Sequence, residues 1–416
     1  MKVNPRRPRS ACIRVPGSKS LSHRVLVAAA LADGESVVQN CLISEDTLLT
    51  MDALRQMGVG IERTLDQVRV TGENGRLAAS ADPIFLGNSG TSLRLVCALA
   101  ALGQETYTIT GTKRMQQRPI QDLLDGLQMI NVPAISMNGD GCPPVQIQGG
   151  KTTGGTSDLR CGKSSQYLSA MLLMAPCTRD GIEIRVTEGP VSKPYVDMTL
   201  HVMARFGIRV EHNSHQYFKI DGAQKYRPGS HTVEPDCSQA SYFWAAAAIT
   251  RGDVKVFHTH ADMLQGDIRI LQLLESMGCQ VRVERDGIRV AGGRLRAIDI
   301  DMSDIPDMVP TIAVIAAFAQ GKTLIRNIGH LRIKESNRIE AVVAQLNKMG
   351  VSAVDRGDGL EVVGGSPHGA MIDTYDDHRI AMSFAVAGMQ VPGVEIADPG
   401  CVAKSFPDFW AVLEQL

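Results

Sequence analysis

Glycines at 34, 103, 181, 252, 321 and 393 each stand at the end of a run rich in small apolar residues. Their spacings are 69, 78, 71, 69 and 72 residues. A period this regular means one supersecondary unit repeated, and no other feature narrows the fold as far. The first half of each unit opens on a polar cluster, continues as an apolar helical run and stops at or beside the glycine. SKSLSHRVLVAAALADG, NSGTSLRLVCALAALG, KSSQYLSAMLLMAPCTRDG, DCSQASYFWAAAAITRG, SDIPDMVPTIAVIAAFAQG and YDDHRIAMSFAVAGMQVPG are the six examples. A β-like run such as GIEIRVTEG follows. The second half is a helix ending near Met or Phe and Gly, then two short alternating strands, as in ALRQMGVGIERTLDQVRVTG and LLESMGCQVRVERDGIRVAGG.

The unit therefore reads as βαβαββ, six times over. The class is α/β (α+β), with three units in each of two domains. The break falls near GSHTVEPDC, giving 18–233 for repeats one to three, and 1–17 with 234–416 for repeats four to six. The early strand ACIRV precedes unit one and is expected to pair within the last domain. The small-residue helices are apolar on every side, so they belong inside each domain.

Lys plus Arg number 43 against 44 Asp plus Glu, and no basic stretch points to nucleic acid. Nine scattered cysteines without a CxxC fit reduced thiols. The start MKVNPRRPRS lacks an adjacent apolar segment, and the run from 25 to 32 is too short to span a bilayer. A soluble, cytoplasmic protein without a membrane partner is expected.

A helix start presents unpaired N–H groups and positive partial charge, so six of them offer anion sites. Ordinary capping accounts for any one polar cluster, but not for the cations in their first turns. With others at equivalent places in the repeats, the cations are Lys19, Arg24, Arg94, Arg114, Arg118, Lys193, Lys334, Arg338, Arg379 and Lys404. In a chain of balanced charge they point to a small, multiply anionic substrate. Gly162-Lys163-Ser164 suggests a nucleotide loop, but a Walker A motif needs Gly at 157, where Ser157 stands. Ser164, Ser165 and Gln166 read instead as donors at a helix start. Asp307 in SDIPDMVP and Glu335 in IKESNR are acids among cations, expected to be ionised and available as bases. His258 and His260 have metal-like spacing but no third ligand nearby, so no metal site is expected.

At these residues the chain resembles the 5-enolpyruvylshikimate-3-phosphate synthase family of enolpyruvyl transferases. The matching stretches run in order from PGSKSLSHR through LGNSGTSLR, RMQQRPIQDL, SSQYLSA, VSKPYVDMTL and DCSQASYF. They continue through DIPDMVPTIA, LRIKESNRI, TYDDHRIAMSF and DPGCVAKSFPDF, and so cover nearly the whole chain. The resemblance implies a two-domain inside-out α/β barrel with its active site in the interdomain cleft. It implies transfer of the enolpyruvyl group of phosphoenolpyruvate to the 5-hydroxyl of shikimate 3-phosphate, in the route to chorismate and aromatic amino acids. No cofactor and no metal are implied, and a monomer is expected.

Carried over by position, Lys19, Ser20, Arg24, Ser164, Ser165, Gln166, Ser192, Tyr195, Asp307, His330 and Lys334 are expected to hold shikimate 3-phosphate. Lys19, Asn88, Gly90, Thr91, Arg118, Gln166, Arg338, Arg379 and Lys404 are expected to hold phosphoenolpyruvate. Asp307, Glu335 and Lys19 are the expected catalytic groups. Three positions depart from common family usage: His330 and His23, where Asn is frequent, and Pro235, where Gly is frequent. Two rival readings remain: the sister transferase acting on UDP-N-acetylglucosamine, which usually carries a reactive Cys absent from TKRMQQRPIQDLL here, and an inactive phospho-metabolite-binding paralogue.

Overall fold

The structure of the chain, a computed structural model, describes every residue except Asp66 and Lys151. Asp66 belongs to the first hairpin quoted above, and its placement lies outside the described residues. The chain divides into two compact units, one of Gly17–Val233 and one of Met1–Pro16 with Glu234–Leu416.

The Gly17–Val233 unit holds three four-stranded sheets built alike. In the second, Ile84–Phe85 runs parallel to Thr106–Thr110, which pairs antiparallel with Val145–Gln148, and Ala134–Ser136 closes the edge. The third joins Gly154–Arg160, Gly181–Glu188, Tyr217–Ile220 and Glu211–Asn213 in the same sense. The first borrows its leading strand from far along the chain: Ser230–Thr232 lies parallel to Asp33–Gln39.

The other unit repeats the device. Its leading strand is Ala11–Ile13, which pairs with Asp253–Phe257 as the sequence suggested. The fifth repeat has its full sheet, from Asp299–Asp301 to Ser352–Asp355. The sixth does not. Met371–Ile372 and Glu395–Ile396 form a two-stranded sheet, and a bridge from Lys2 to Glu395 takes the place beside it. The chain turns into the helix Phe409–Leu413 where a hairpin would follow. Among the described residues, the sixfold βαβαββ reading therefore holds for five units, and the sixth shows two strands of its sheet.

Each repeat places one helix inside its unit. These are Lys19–Leu31, Gly90–Ala100 and Gln166–Met174 in one unit, and Cys237–Thr250, Val309–Ala316 and His378–Gly388 in the other. Every residue of the Cys237, Val309 and His378 helices is buried. Small side chains let three such helices pack side by side, and an all-apolar helix has no stable place elsewhere. Four of the six repeat glycines, Gly34, Gly181, Gly321 and Gly393, have φ between +81° and +121°. That conformation lets the chain leave the helix for the next strand without a Cβ clash.

Polar residues fix where the helices start. Ser18 accepts from the Leu21 N–H, Asp236 from Gln239, Asp377 from Arg379 and Asn337 from Glu340. The starts of the buried helices are therefore the places where polar and charged side chains meet the interior. Among the described residues, no helix is long and apolar enough to cross a membrane.

Candidate active site

In the Gly17–Val233 unit the expected residues gather at three helix starts. Lys19 begins its helix and makes a 2.9 Å ion pair with the nearly buried Asp46. Arg24 is fully buried one turn further on. It gives Nε to Thr199 Oγ1 at 2.7 Å, Nη1 to the Ser20 carbonyl at 2.9 Å and Nη2 to Ser169 Oγ at 3.2 Å. Its guanidinium also lies 5.9 Å from the Tyr195 ring centre. Burial lowers its pKa to about 10, opposed by Tyr195, and it remains charged. Arg24 thus braces the turn that carries Lys19 and Ser20.

Asn88 and Gly90 stand at the start of the second buried helix. The buried Arg118 gives Nη1 to the Asn88 carbonyl at 2.9 Å and to its Oδ1 at 3.2 Å. A Cβ at Gly90 would stand 2.4 Å from Arg118 Nη2 and 2.4 Å from Arg94 Nη1. The glycine is what lets two guanidinium groups approach the helix start. Gly90→Ala is expected to keep the fold, because the crowded atoms are side-chain ends, and to push Arg118 aside. Affinity for an anion held at this helix start should fall about tenfold, the usual cost of one misplaced methyl-sized group; titration of both proteins with inorganic phosphate checks it, and an unchanged affinity excludes the crowding argument.

At the third helix start, Gln166 Nε2 donates to Thr91 Oγ1 at 2.9 Å, and Ser164 Oγ accepts from the Gln166 N–H at 3.2 Å. Ser164 and Ser165 are buried beside it. Ser192, at φ +55°, directly precedes the helix Lys193–Arg205, which carries Tyr195. Lys163, the lysine of the rejected nucleotide motif, pairs with Asp122 at 3.1 Å.

In the other unit the residues converge on two acids. Asp307, in a short 3-10 turn before the Val309 helix, accepts from Arg338 Nη1 at 2.8 Å and from Arg379 Nη2 at 2.7 Å. Arg338 also gives Nη2 to Glu335 at 2.7 Å and Nε to Asp377 at 2.8 Å. Asp377 in turn accepts from the Arg379 N–H at 3.0 Å and the Ser336 hydroxyl at 2.9 Å. Burial alone would raise the Asp307 pKa, but Arg379, Arg338 and Lys334 outweigh it, against Glu335, and hold the carboxyl well below the usual range. The expected ionisation of Asp307 agrees with this.

His330 lies within the 3-10 turn Gly329–Ile333, and Lys334 follows it directly. Burial first, then Lys334, pushes the His330 pKa down to about 3, so its imidazole is neutral at pH 7. Its Nε2 is buried with no hydrogen-bond partner among the described residues, and a neutral imidazole nitrogen suits a hydroxyl. Lys404 is buried at the end of the turn Pro399–Lys404, close enough to Asp376 to oppose the rise of its pKa.

Two acids were missed by the sequence reading. Asp46 stands in the first turn of the helix Glu45–Gln56, and Asp377 caps the His378 helix from within DDHR. Only the folded positions show that each faces a site cation. His23 is fully buried and bonds Thr50 Oγ1 at 2.8 Å through Nδ1, while the Pro235 carbonyl accepts from Gln265 at 2.7 Å. Among the described residues, no group of three or more His, Cys, Asp or Glu is placed to hold a metal.

Comparison with known proteins gives this arrangement a context. Residues 3–413 match the family model described as EPSP synthase (3-phosphoshikimate 1-carboxyvinyltransferase). A 3-phosphoshikimate 1-carboxyvinyltransferase of Syntrophobacter fumaroxidans is 47% identical over 409 residues, covering 98% of this chain and 97% of that protein. One from Trichormus variabilis is 42% identical over 407 residues, covering 97% and 96%. Among solved structures, an EPSP synthase from Acinetobacter baumannii superposes with a TM-score of 0.82 at 28% identity, over 100% of this chain and 97% of that one. With its repeats, its cationic helix starts and a match along nearly its whole length, the chain belongs to the EPSP synthase family.

Proposed function

We propose that this chain transfers the enolpyruvyl group of phosphoenolpyruvate to the 5-hydroxyl of shikimate 3-phosphate, releasing phosphate. One observation carries the reading furthest: Arg338 and Arg379 converge on a single carboxylate, and Arg338 holds a second acid as well. Such a pair of guanidinium groups is suited to bidentate capture of a carboxylate or phosphate. Asp307 and Glu335 are then the groups a substrate anion displaces, so binding releases both acids for proton transfer.

The steps follow. Asp307 takes the 5-hydroxyl proton as that oxygen bonds to C2 of phosphoenolpyruvate. Glu335, which takes up a proton from solvent once Arg338 has turned to the substrate, gives that proton to C3 and completes a tetrahedral adduct. Glu335 then removes a proton from C3, the C2–O bond to phosphate breaks, the enol ether forms, and the proton held by Asp307 leaves with the phosphate. Both acids act only when Arg338 and Arg379 have turned to the substrate. Until then the cations hold Asp307 too weakly basic, and Arg338 keeps Glu335 paired.

Lys19, Lys334 and Lys404 neutralise the developing oxyanion and phosphate charge. Ser20, Ser164, Ser165, Gln166, Ser192, Tyr195 and His330 orient shikimate 3-phosphate, with Arg24 bracing them. Asn88, Gly90, Thr91 and Arg118 hold phosphoenolpyruvate.

The test is phosphate release from phosphoenolpyruvate with shikimate 3-phosphate as acceptor, and UDP-N-acetylglucosamine in parallel. Release in the first reaction alone is expected. Release only in the second, or in neither, overturns the reading.

A further inference from the structure

Tyr167 has no part in the steps above, yet it follows Gln166 directly and is fully buried in the first turn of the helix Gln166–Met174. Its hydroxyl donates to the Pro119 carbonyl at 2.6 Å. Arg94, buried in the helix Gly90–Ala100, gives Nη2 to the same carbonyl at 3.2 Å. Donors from two helices therefore meet on one backbone oxygen, and that oxygen stands one residue past Arg118.

The position of that oxygen governs where Arg118 can reach. On its N-terminal side, the Arg118 N–H bonds to the Met115 carbonyl at 3.0 Å and ties the residue to the turn Met115–Gln117. On the other side, Pro119 has a ring-fixed φ and no N–H to pair, so its carbonyl takes the second hold. The guanidinium must then land between Asn88 and Gly90, where little room is left. A backbone shift of a few tenths of an ångström at Arg118 is carried along the side chain to that head. Of the two donors Tyr167 is the firmer. Its bond is on the short side for a hydroxyl, whereas that of Arg94 is at the long limit for a guanidinium. Burial pushes the Tyr167 pKa up, so the phenol keeps its proton and stays a donor.

We propose that Tyr167 is a positioning residue for phosphoenolpyruvate: through the Pro119 carbonyl it sets where Arg118 stands. This rests on the reading of Arg118 as a phosphoenolpyruvate ligand. No bond forms or breaks at Tyr167, and the role is one of geometry. Its loss therefore falls on the binding of one substrate and leaves the proton transfers at Asp307 and Glu335 alone.

The test is phosphate release by wild type, Tyr167→Phe, Arg118→Ala and the double variant. Phenylalanine keeps the ring and its volume, and Arg94 still serves the Pro119 carbonyl, so the fold should hold; a Tyr167→Phe protein that does not fold makes Tyr167 a stability residue and overturns the proposal. Tyr167→Phe is expected to raise KM for phosphoenolpyruvate about three- to tenfold, the range of one ordinary hydrogen bond, with kcat changed less than about twofold. KM for shikimate 3-phosphate should stay near wild type. An equal rise in both KM values would mean that Tyr167 only supports its own helix start, beside Ser164, Ser165 and Gln166, and overturns the proposal. The double variant separates the routes. Once the Arg118 side chain is gone, adding Tyr167→Phe should lower kcat/KM for phosphoenolpyruvate by less than about twofold, because the two changes act through one contact. Equal losses with and without Arg118 refute the coupling. If Arg118→Ala alone leaves kcat/KM unchanged, the reading of Arg118 as a ligand fails first, and this proposal goes with it.

Discussion

An Asp307→Asn enzyme is expected to turn over about 10²–10⁴-fold more slowly than wild type, the usual contribution of a positioned general base, with no rise in KM for phosphoenolpyruvate. The split between the two constants follows from the ion pairs. Asp307 occupies one fork each of Arg338 and Arg379. An amide of the same shape is a weaker partner for both, so a substrate anion displaces it more easily. Turnover suffers because the amide cannot take the hydroxyl proton. Single-turnover and steady-state kinetics read the two effects separately. A kcat near wild type would remove Asp307 from the role of base. A kcat lost together with a large rise in KM would mean that its main work is to hold the arginines in place.

The repeat, its period and the buried helices were legible because each depends on a local rule. A small-residue run bounded by a polar cluster and a glycine has few alternatives as a helix, and six of them at one spacing fix the unit. The strand exchanges were half legible. ACIRV could be recognised as a strand without a local partner, and it does pair with Asp253–Phe257. The matching role of Ser230–Thr232 beside Asp33–Gln39 was hidden, because a three-residue strand at a unit boundary has no periodicity to read. The two-stranded sixth sheet was hidden for a related reason: GMQVPGVEIADPG resembles the start of a strand in sequence, and the turn into a helix lies after it.

The site divides in the same way. Cations at apolar helix starts stand out, because capping calls for Ser, Thr, Asp or Asn and not for Arg or Lys. The acids that hold those cations do not stand out. Asp377 is an ordinary cap by sequence and in fact caps, since its Oδ1 accepts from the Arg379 N–H. Its second oxygen binds Arg338 from a different repeat, which no local pattern can show. Asp46 was invisible for the same reason: its partner Lys19 is 27 residues away.

Arg338→Met is expected to be the most destabilising single change in the Glu234–Leu416 portion of the chain, by about 3–5 kcal/mol, the usual cost of removing one partner from a buried ionic group. Arg338 is 2% exposed and bonds three carboxylates, Asp307, Glu335 and Asp377, of which Asp377 is fully buried. Methionine fills much of the volume and supplies no donor. Asp377 would keep the Ser336 hydroxyl and the Arg379 N–H, but no longer the facing positive charge.

Arg338→Lys separates charge from geometry. One ammonium restores a positive charge but cannot reproduce the planar fork that serves three acids at once. It should therefore regain part of the lost stability and little of the turnover, with KM for phosphoenolpyruvate still raised. Urea denaturation followed by circular dichroism reads stability, and the phosphate-release assay reads turnover. A methionine variant as stable as wild type would show that the three acids accommodate the loss by protonation or by turning to Arg379 and Lys334. A lysine variant with full activity would show that the anion site needs a charge at position 338 and not a guanidinium.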